Sequence, residues 1–271
     1  MTTALRHPPA ALAPFVKAFW YVEDDLSPGR ERKLPTGEMQ IVVNLTEDAL
    51  RWYDGAHLDQ QRTTHGAGLC GMLAGPIGID TAEQQRVLGV SFRPGGSLPF
   101  FLDPATELTE PVIGLDALWG RAGSTLRERL LDQPTPALML RAMEAALLER
   151  VIRPLQADPA LTAAAAALAG GRSVGGVVAA SGTTTSTFSR RFRHGIGLAP
   201  KPFARIRRLQ RVLGSLPAAP PVAVDWAAVA NRHGFFDQAH LINDFRKLTG
   251  LTPAAYEPRS GTEPNHVPLS A

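Results

Sequence analysis

The stretch from Val222 to Tyr256, VAVDWAAVANRHGFFDQAHLINDFRKLTGLTPAAY, reads as a helix, a tight turn and a second helix. Trp226, Val229 and Ala230 recur at helical spacing and give the first helix one apolar face. Asp225 is placed as its N-cap, where a carboxylate accepts an orphan N–H of the first turn. Gly234 stops that helix where a left-handed residue is wanted. The second helix starts near Asp237 and carries Leu241, Phe245 and Leu248 on one stripe. Gly250 ends it, and Thr252-Pro253 opens a last short helix with proline at its first position.

The opposite face of the second helix carries Ala239, Ile242, Asn243 and Arg246, with Gln238 at its N-terminal end. Amide, guanidinium and small apolar groups are the ones that read base edges in a major groove. A short helix standing after a tight turn is the arrangement of a recognition helix. Ala227, the run Gly234-Phe235-Phe236-Asp237-Gln238-Ala239-His240, Phe245-Arg246, Thr249-Gly250-Leu251-Thr252-Pro253 and Tyr256 resemble, in order and spacing, the C-terminal signature of AraC-type transcriptional regulators. Asn243 departs from it, standing where that family often has Arg. The resemblance implies a sequence-specific transcription regulator whose partner is a double-stranded DNA operator, with RNA polymerase as a further partner.

A second unit of the same kind precedes this one. Leu161 to Ala169 is Ala-rich and helical, Ser173 caps a helix from Val174 to Ala180, Gly182 makes a turn, and a helix from Thr184 to His194 follows. Phe188 and Phe192 form its core stripe, while Ser186, Ser189, Arg190 and Arg193 face the other way. Gly182, Phe188, Arg190, Phe192, Gly195, Gly197 and Pro200-Lys201 resemble the first of the two helix-turn-helix motifs of the AraC-type domain. Ser186, often Arg in that family, and Gly175-Gly176 depart from it. Pro202 to Leu216 is the connecting helix, striped by Ile206, Leu209, Leu213 and Leu216. Arg205, Arg207, Arg208 and Arg211 are expected to face solvent or phosphate. In the family such a helix lets the two recognition helices enter successive major grooves, about 34 Å apart. Arg190, Arg193, Lys201, Arg207, Arg208 and Arg211 are therefore expected near phosphates. Ser186, Ser189, Gln238, Ala239, Asn243 and Arg246 are expected on the faces that read bases.

Charge is divided along the chain. Residues 151–271 hold 14 Lys and Arg against 6 Asp and Glu, while residues 1–150 hold 14 against 19, and the whole carries +3. A basic C-terminal half and an acidic N-terminal half suggest one domain for phosphates and one for another task. At 271 residues the chain is long enough for two domains, each burying a core. The expected division is a sensor domain over 1–136, a helical linker or dimerisation segment over 137–156, a double helix-turn-helix domain over 157–258 and a disordered tail over 259–271. The single cysteine, Cys70, excludes an internal disulfide framework and fits a reducing cytosol. The N-terminus lacks signal-peptide architecture, and no run of 18 or more apolar residues suggests a membrane span, so a cytoplasmic protein without a membrane partner is expected.

The N-terminal half reads as short strands between turns. Glu38 to Leu45 is a strand entered by the turn Leu34-Pro35-Thr36-Gly37-Glu38. Arg51-Trp52-Tyr53 opens another before Asp54-Gly55. Leu69 to Ile79 is Gly-rich and apolar, a bulged strand or a close backbone approach. Gln85 to Phe92 is a further strand. The fold class expected is α+β, with an N-terminal β-rich, cupin-like barrel followed by an all-α DNA-binding domain. Phe19-Trp20, Pro35-Thr36-Gly37, Asn44-Leu45 and the run Val90-Ser91-Phe92-Arg93-Pro94-Gly95-Gly96, with Pro104-Ala105 and Glu107-Leu108, resemble the sensor domain of a subgroup of AraC-type proteins. That implies a small-molecule effector of unassigned identity. Arg93, at a strand end, is placed either on an anionic effector or in an ion pair with an N-terminal carboxylate. Phe92 and Glu38 are grouped with it as candidate effector contacts.

Residues 112–131 are expected to be helical. Ala137 to Arg153 is expected to form a helix whose apolar stripe either packs on its own domain or forms a homodimer seam. No catalytic motif of the G-x-S-x-G, Walker or H-E-x-x-H kind occurs. His57 and His65 lack a clear third ligand, so no metal and no cofactor are expected. Cys70 reads as a small buried hydrophobe with nothing basic beside it. An enzyme or alkyl-accepting repair protein fused to a DNA-binding module is the alternative function, and it needs an activated cysteine.

Overall fold

The computed structural model describes residues 1–55, 59–108, 110–216 and 224–269; Val222 and His57 lie outside them. The N-terminal half contains β1 (Thr2–Arg6), β2 (Val16–Glu23), β3 (Arg30–Lys33), β4 (Gln40–Asn44), β5 (Leu50–Asp54), β6 (Gln61–Thr64), β7 (Ala67–Cys70), β8 (Ile77–Asp80), β9 (Arg86–Phe92) and β10 (Val112–Gly114). Ten helices follow: α1 (Leu115–Trp119), α2 (Arg121–Ser124), α3 (Leu126–Leu131), α4 (Pro136–Glu149), α5 (Pro159–Ala169), α6 (Val174–Ser181), α7 (Thr185–Ile196), α8 (Pro200–Ser215), α9 (Trp226–Arg232) and α10 (Gln238–Thr249), counted among the described residues. A last strand, β11, spans His266–Pro268.

The strands form two antiparallel sheets, ordered β1-β2-β9-β4-β7-β10 and β11-β3-β8-β5-β6. The two sheets do not close into one, and residues of both line a common cavity. Ile41 and Val43 of β4 alternate inward and are buried, the period-two pattern of a half-buried sheet, whereas β9, inside its sheet, is buried throughout from Val87 to Phe92. Phe92 packs tilted against Phe100 and edge-on against Phe101, which stacks on Trp119 at the end of this core.

Three elements differ from the sequence reading. Residues 112–131 begin with β10 and continue as three short helices: Gly120, at φ 59°, breaks the run between α1 and α2, and Thr125 separates α2 from α3. Leu69 to Ile79 is two strands in different sheets, β7 and β8, joined by a crossing segment. The described part of the 259–271 tail is ordered: β11 pairs with β3 in the register His266↔Lys33, Val267↔Arg32, Pro268↔Glu31. Pro268 sits at the strand's end on the sheet's edge, where the missing N–H costs least. Helix α4 buries Met139, Leu140, Met143 and Leu147 against β1, β2 and α3. Its main stripe is thereby used within its own domain, and Leu138 and Leu148 remain exposed.

The apolar core does not divide where the domains do. One cluster runs from Phe19 and Val90 of the barrel to Leu168, Phe188, Phe192 and Phe203 of the helical region. A second gathers Leu34 beside β3, Val267 of β11, and Ile206, Leu209, Leu241 and Phe245 of α8 and α10. Two turns make this close docking feasible. Gly37 has φ 73°, and a Cβ there would stand 3.1 Å from Cδ of Arg207. Gly95 has φ 78°, and a Cβ there would stand 3.2 Å from Leu161. Glycine supplies both the left-handed backbone and the missing atom. Among the described residues no helix is long and apolar enough to cross a membrane.

Candidate nucleic-acid interface and effector cavity

Each candidate recognition helix is started by a side-chain cap. Oγ1 of Thr184 accepts from the N–H of Thr187 at 3.3 Å ahead of α7, and Oδ1 of Asp237 accepts from the N–H of His240 at 2.7 Å ahead of α10. The turns before them pass through Gly182 at φ 64° and Gly234 at φ 72°. Phe188 and Phe192 bury one face of α7, and Leu241, Phe245 and Leu248 one face of α10. Ser186, Arg190 and Arg193 stand exposed on α7, with Ser189 half-buried; Gln238, Ala239, Asn243 and Arg246 stand exposed on α10. Lys201, at the start of α8, is exposed as well. Arg190, Arg193, Lys201 and Arg246 form no ion pair among the described residues. Ile242 departs from the expected reading face and packs half-buried against the second core cluster.

The cations of α8 are placed differently from expectation. Nη2 of Arg208 donates to Oδ2 of Asp244 at 2.7 Å and Nη1 to the Gly234 carbonyl at 3.0 Å, while its guanidinium lies 4.0 Å from the Phe235 ring centre. Arg205 donates to the other oxygen of Asp244 at 2.8 Å. Burial alone would push the Asp244 carboxyl up, but the two guanidinium hydrogen bonds hold it below the usual carboxylate range. Arg207 donates to the Thr36 carbonyl at 3.0 Å and to Glu38 at 3.3 Å. Arg211 donates to the Ala169 carbonyl. Arg207, Arg208 and Arg211 are thus tied to neighbouring elements, and their first role is to brace α8. Asp244 was missed in the sequence. Its signal is a carboxylate beside the apolar stripe of a helix that follows an arginine-rich one.

Phe236 was also passed over as a functional residue. It is 92% exposed in the turn ahead of α10, and its N–H donates to Nδ1 of His240 at 3.3 Å. Its ring stands in the turn immediately before the exposed face of α10.

The expected effector residues do not converge. Arg93 is exposed and lies outside the cavity between the two sheets; its Nε donates to the Ala13 carbonyl at 2.8 Å, and it forms no ion pair with a carboxylate among the described residues, which corrects the carboxylate-pair reading. Phe92 is fully buried in the aromatic core. Glu38 accepts from Lys17 at 2.9 Å as well as from Arg207, so it is a joint between sensor and α8. It does border a cavity of about 140 Å³ between the two sheets. Trp20, Val42, Leu50, Ile77 and Val112 give that cavity apolar walls. Lys33 points into it and donates to Nε2 of His266 at 3.0 Å, with no ion pair among the described residues. Burial pushes the Lys33 ammonium pKa down. Cys70 lines the same space; burial pushes its thiol up while Lys33 pulls it the other way, so a basic neighbour exists that the sequence order hides. Among the described residues no three His, Cys, Asp or Glu side chains gather as a metal site.

Two family models match separate parts of the chain. A family described as a helix-turn-helix domain matches residues 177–259, and a domain of unknown function matches residues 5–114. No curated protein matches the chain. Among solved structures, the apo form of a ToxT point variant from Vibrio cholerae strain SCE256 is similar with a TM-score of 0.47 at 8% identity, over 93% of this chain and 98% of that one. Wild-type ToxT of the same strain bound to an unsaturated fatty acid gives 0.44 at 9% identity, over 89% and 95%.

Proposed function

We propose that this chain is a DNA-binding regulator with an AraC-type helix-turn-helix domain, that it reads one operator with two helix faces and that it answers to a small effector held between its sheets. Ser186, Ser189, Gln238, Ala239, Asn243 and Arg246 contact bases, and Arg190, Arg193 and Lys201 contact phosphates. The observation that carries this is selective freedom: the arginines of α8 are tied inward, whereas Arg190, Arg193 and Arg246 are exposed and make no ion pair among the described residues. The three phosphate contacts of Arg190, Arg193 and Lys201 predict a slope of about −3 in log K against log salt. Duplexes selected from a random pool by the full-length protein, then titrated at several salt concentrations, test this. A flat salt response or equal affinity for all sequences overturns it.

The effector is a compact, largely apolar molecule with one anionic group opposite Lys33. Lys33 forms no ion pair among the described residues, although Glu38, Asp80, Glu83 and Glu263 also border the cavity, and an anion beside it would offset part of the cost of its burial. Residues 1–136 act as the sensor, 137–156 as the joining segment and 157–258 as the DNA-binding region. The chain works as a regulator in the cytoplasm, without metal or cofactor. Leu138 and Leu148 of α4, about three helical turns apart, give the surface for a homodimer, and RNA polymerase is the partner that converts binding into a transcriptional effect.

A further inference from the structure

We propose that residues 259–269, which follow the DNA-binding region, are the closing wall of the effector cavity, so that the site is assembled from both ends of the chain and a ligand enters when this strap lifts. The inference rests on the effector reading only for the identity of what enters. The strap itself is defined by its bonds. The N–H of Leu34 donates to the Asn265 carbonyl at 2.9 Å and that of Leu269 to the Arg30 carbonyl at 2.8 Å, on either side of β11. Arg259, Glu263 and His266 line the cavity from the strap, His266 beside its cross-strand partner Lys33, and Cys70 lines the same space.

One carboxylate holds the strap down. Glu31, 1% exposed, accepts from Nη1 of Arg259 at 3.0 Å, from Gln84 at 3.2 Å and from Nδ1 of His266 at 3.0 Å. One neutral tautomer of His266 satisfies the whole chain of bonds: Nδ1–H donates to Glu31 while Nε2 accepts from the Lys33 ammonium. An anion placed beside Lys33 competes with His266 for that ammonium, so occupation of the cavity and seating of the strap act on the same atoms. The strap is also rooted in the DNA-binding region. Val267 is buried among Leu209, Leu213 and Phe245, Tyr256 donates to the Pro264 carbonyl at 2.6 Å, and Gln210 of α8 donates to Oδ1 of Asn265 at 2.7 Å. Lifting the strap therefore withdraws a core residue from the second motif.

The chain's single cysteine reports on the gate. The rate at which N-ethylmaleimide alkylates Cys70 is measured in the full-length protein and in full-length Glu31→Gln and Arg259→Gln variants. Amide hydrogen exchange over residues 265–269 is followed alongside. The wild type is expected to react far more slowly than free cysteine, and both variants about tenfold faster or more, the effect of losing a charge-assisted hydrogen bond. Arg93→Gln, away from the cavity, leaves the rate unchanged. A wild-type Cys70 that reacts like free cysteine overturns the proposal. So does a rate unchanged in both variants, whether or not the strap exchanges faster. Because no ligand is needed, a failed search for anionic effectors would count against the effector reading alone.

Discussion

Replacing Arg208 with alanine separates a structural arginine from a phosphate contact. The side chain is 18% exposed and makes a hydrogen bond to Asp244, another to the Gly234 carbonyl and a stacking contact on Phe235. A charged hydrogen bond contributes about 1.5–3 kcal/mol and an arginine over an aromatic ring about 0.5–1 kcal/mol. Asp244 keeps Arg205, so it is not left unpaired, and the expected loss is about 3 kcal/mol. For a chain of this size that lowers Tm by roughly 6–10 °C. The assay is thermal unfolding by circular dichroism, paired with DNA titrations at several salt concentrations below the variant's transition. The account predicts reduced Tm and an unchanged salt slope. A double-mutant cycle with Asp244→Ala should show that the two losses are not additive. Unchanged melting together with a slope shallower by about one would refute the reasoning and return Arg208 to the phosphates.

Further outcomes follow from the same structure. Phe236→Ala should weaken operator binding with little change in Tm, since an exposed ring contributes little to folding; if the ring meets a thymine methyl, replacing thymine by uracil at one position weakens the wild type and leaves the variant unaffected. Gly37→Ala forces a left-handed backbone and presses on Arg207, costing about 1–3 kcal/mol, seen as a lower Tm; a Tm equal to the parent's contradicts the docked turn. Stability should fall on acidification from about 6.5, the ordinary histidine value. Burial, with Lys33 and Arg259 nearby, pushes His266 down to about 4, so between its unfolded and folded values the unfolded chain binds the extra proton. Glu31 is pushed up by burial, yet the His266 bond, Arg259 and Gln84 hold it below its ordinary value, and its contribution is lost at still lower pH; Glu263 and Cys70 also face this cluster. His266→Gln should flatten the upper part of that profile, and an unaltered profile counts against it. Specific duplex should slow Cys70 alkylation, because DNA favours the form in which Val267 completes the second motif.

The helical half was legible because its signals are local. Caps at Asp225 and Ser173, αL glycines at 182, 234 and 250, and stripes of Phe and Leu each act within a few residues. The strands Glu38–Leu45 and Gln85–Phe92 showed themselves through β-branched runs. β3, with the sequence Arg-Glu-Arg-Lys, and β11, with His-Val-Pro, did not. Their pairing is fixed by each other and by the buried Glu31 cluster, 235 residues apart in the case of His266, and no local pattern encodes that. The same holds for the site. Exposed faces of α7 and α10 could be placed from helical periodicity, whereas the inward ties of Arg207, Arg208 and Arg211 depend on Glu38, Asp244 and Ala169. The two turns that marked the sensor resemblance, at Gly37 and Gly95, are docking joints against α8 and α5, which explains why Arg93 does not face the cavity.

The most direct test of the two-helix reading is a hydroxyl-radical footprint of the full-length protein on its selected duplex. The account predicts two protected tracts on one face, centred about 10–10.5 base pairs apart. Ser186→Ala with Arg190→Ala should erase one tract, and Asn243→Ala with Arg246→Ala the other. A single tract, or two tracts that both survive either pair of substitutions, would contradict it.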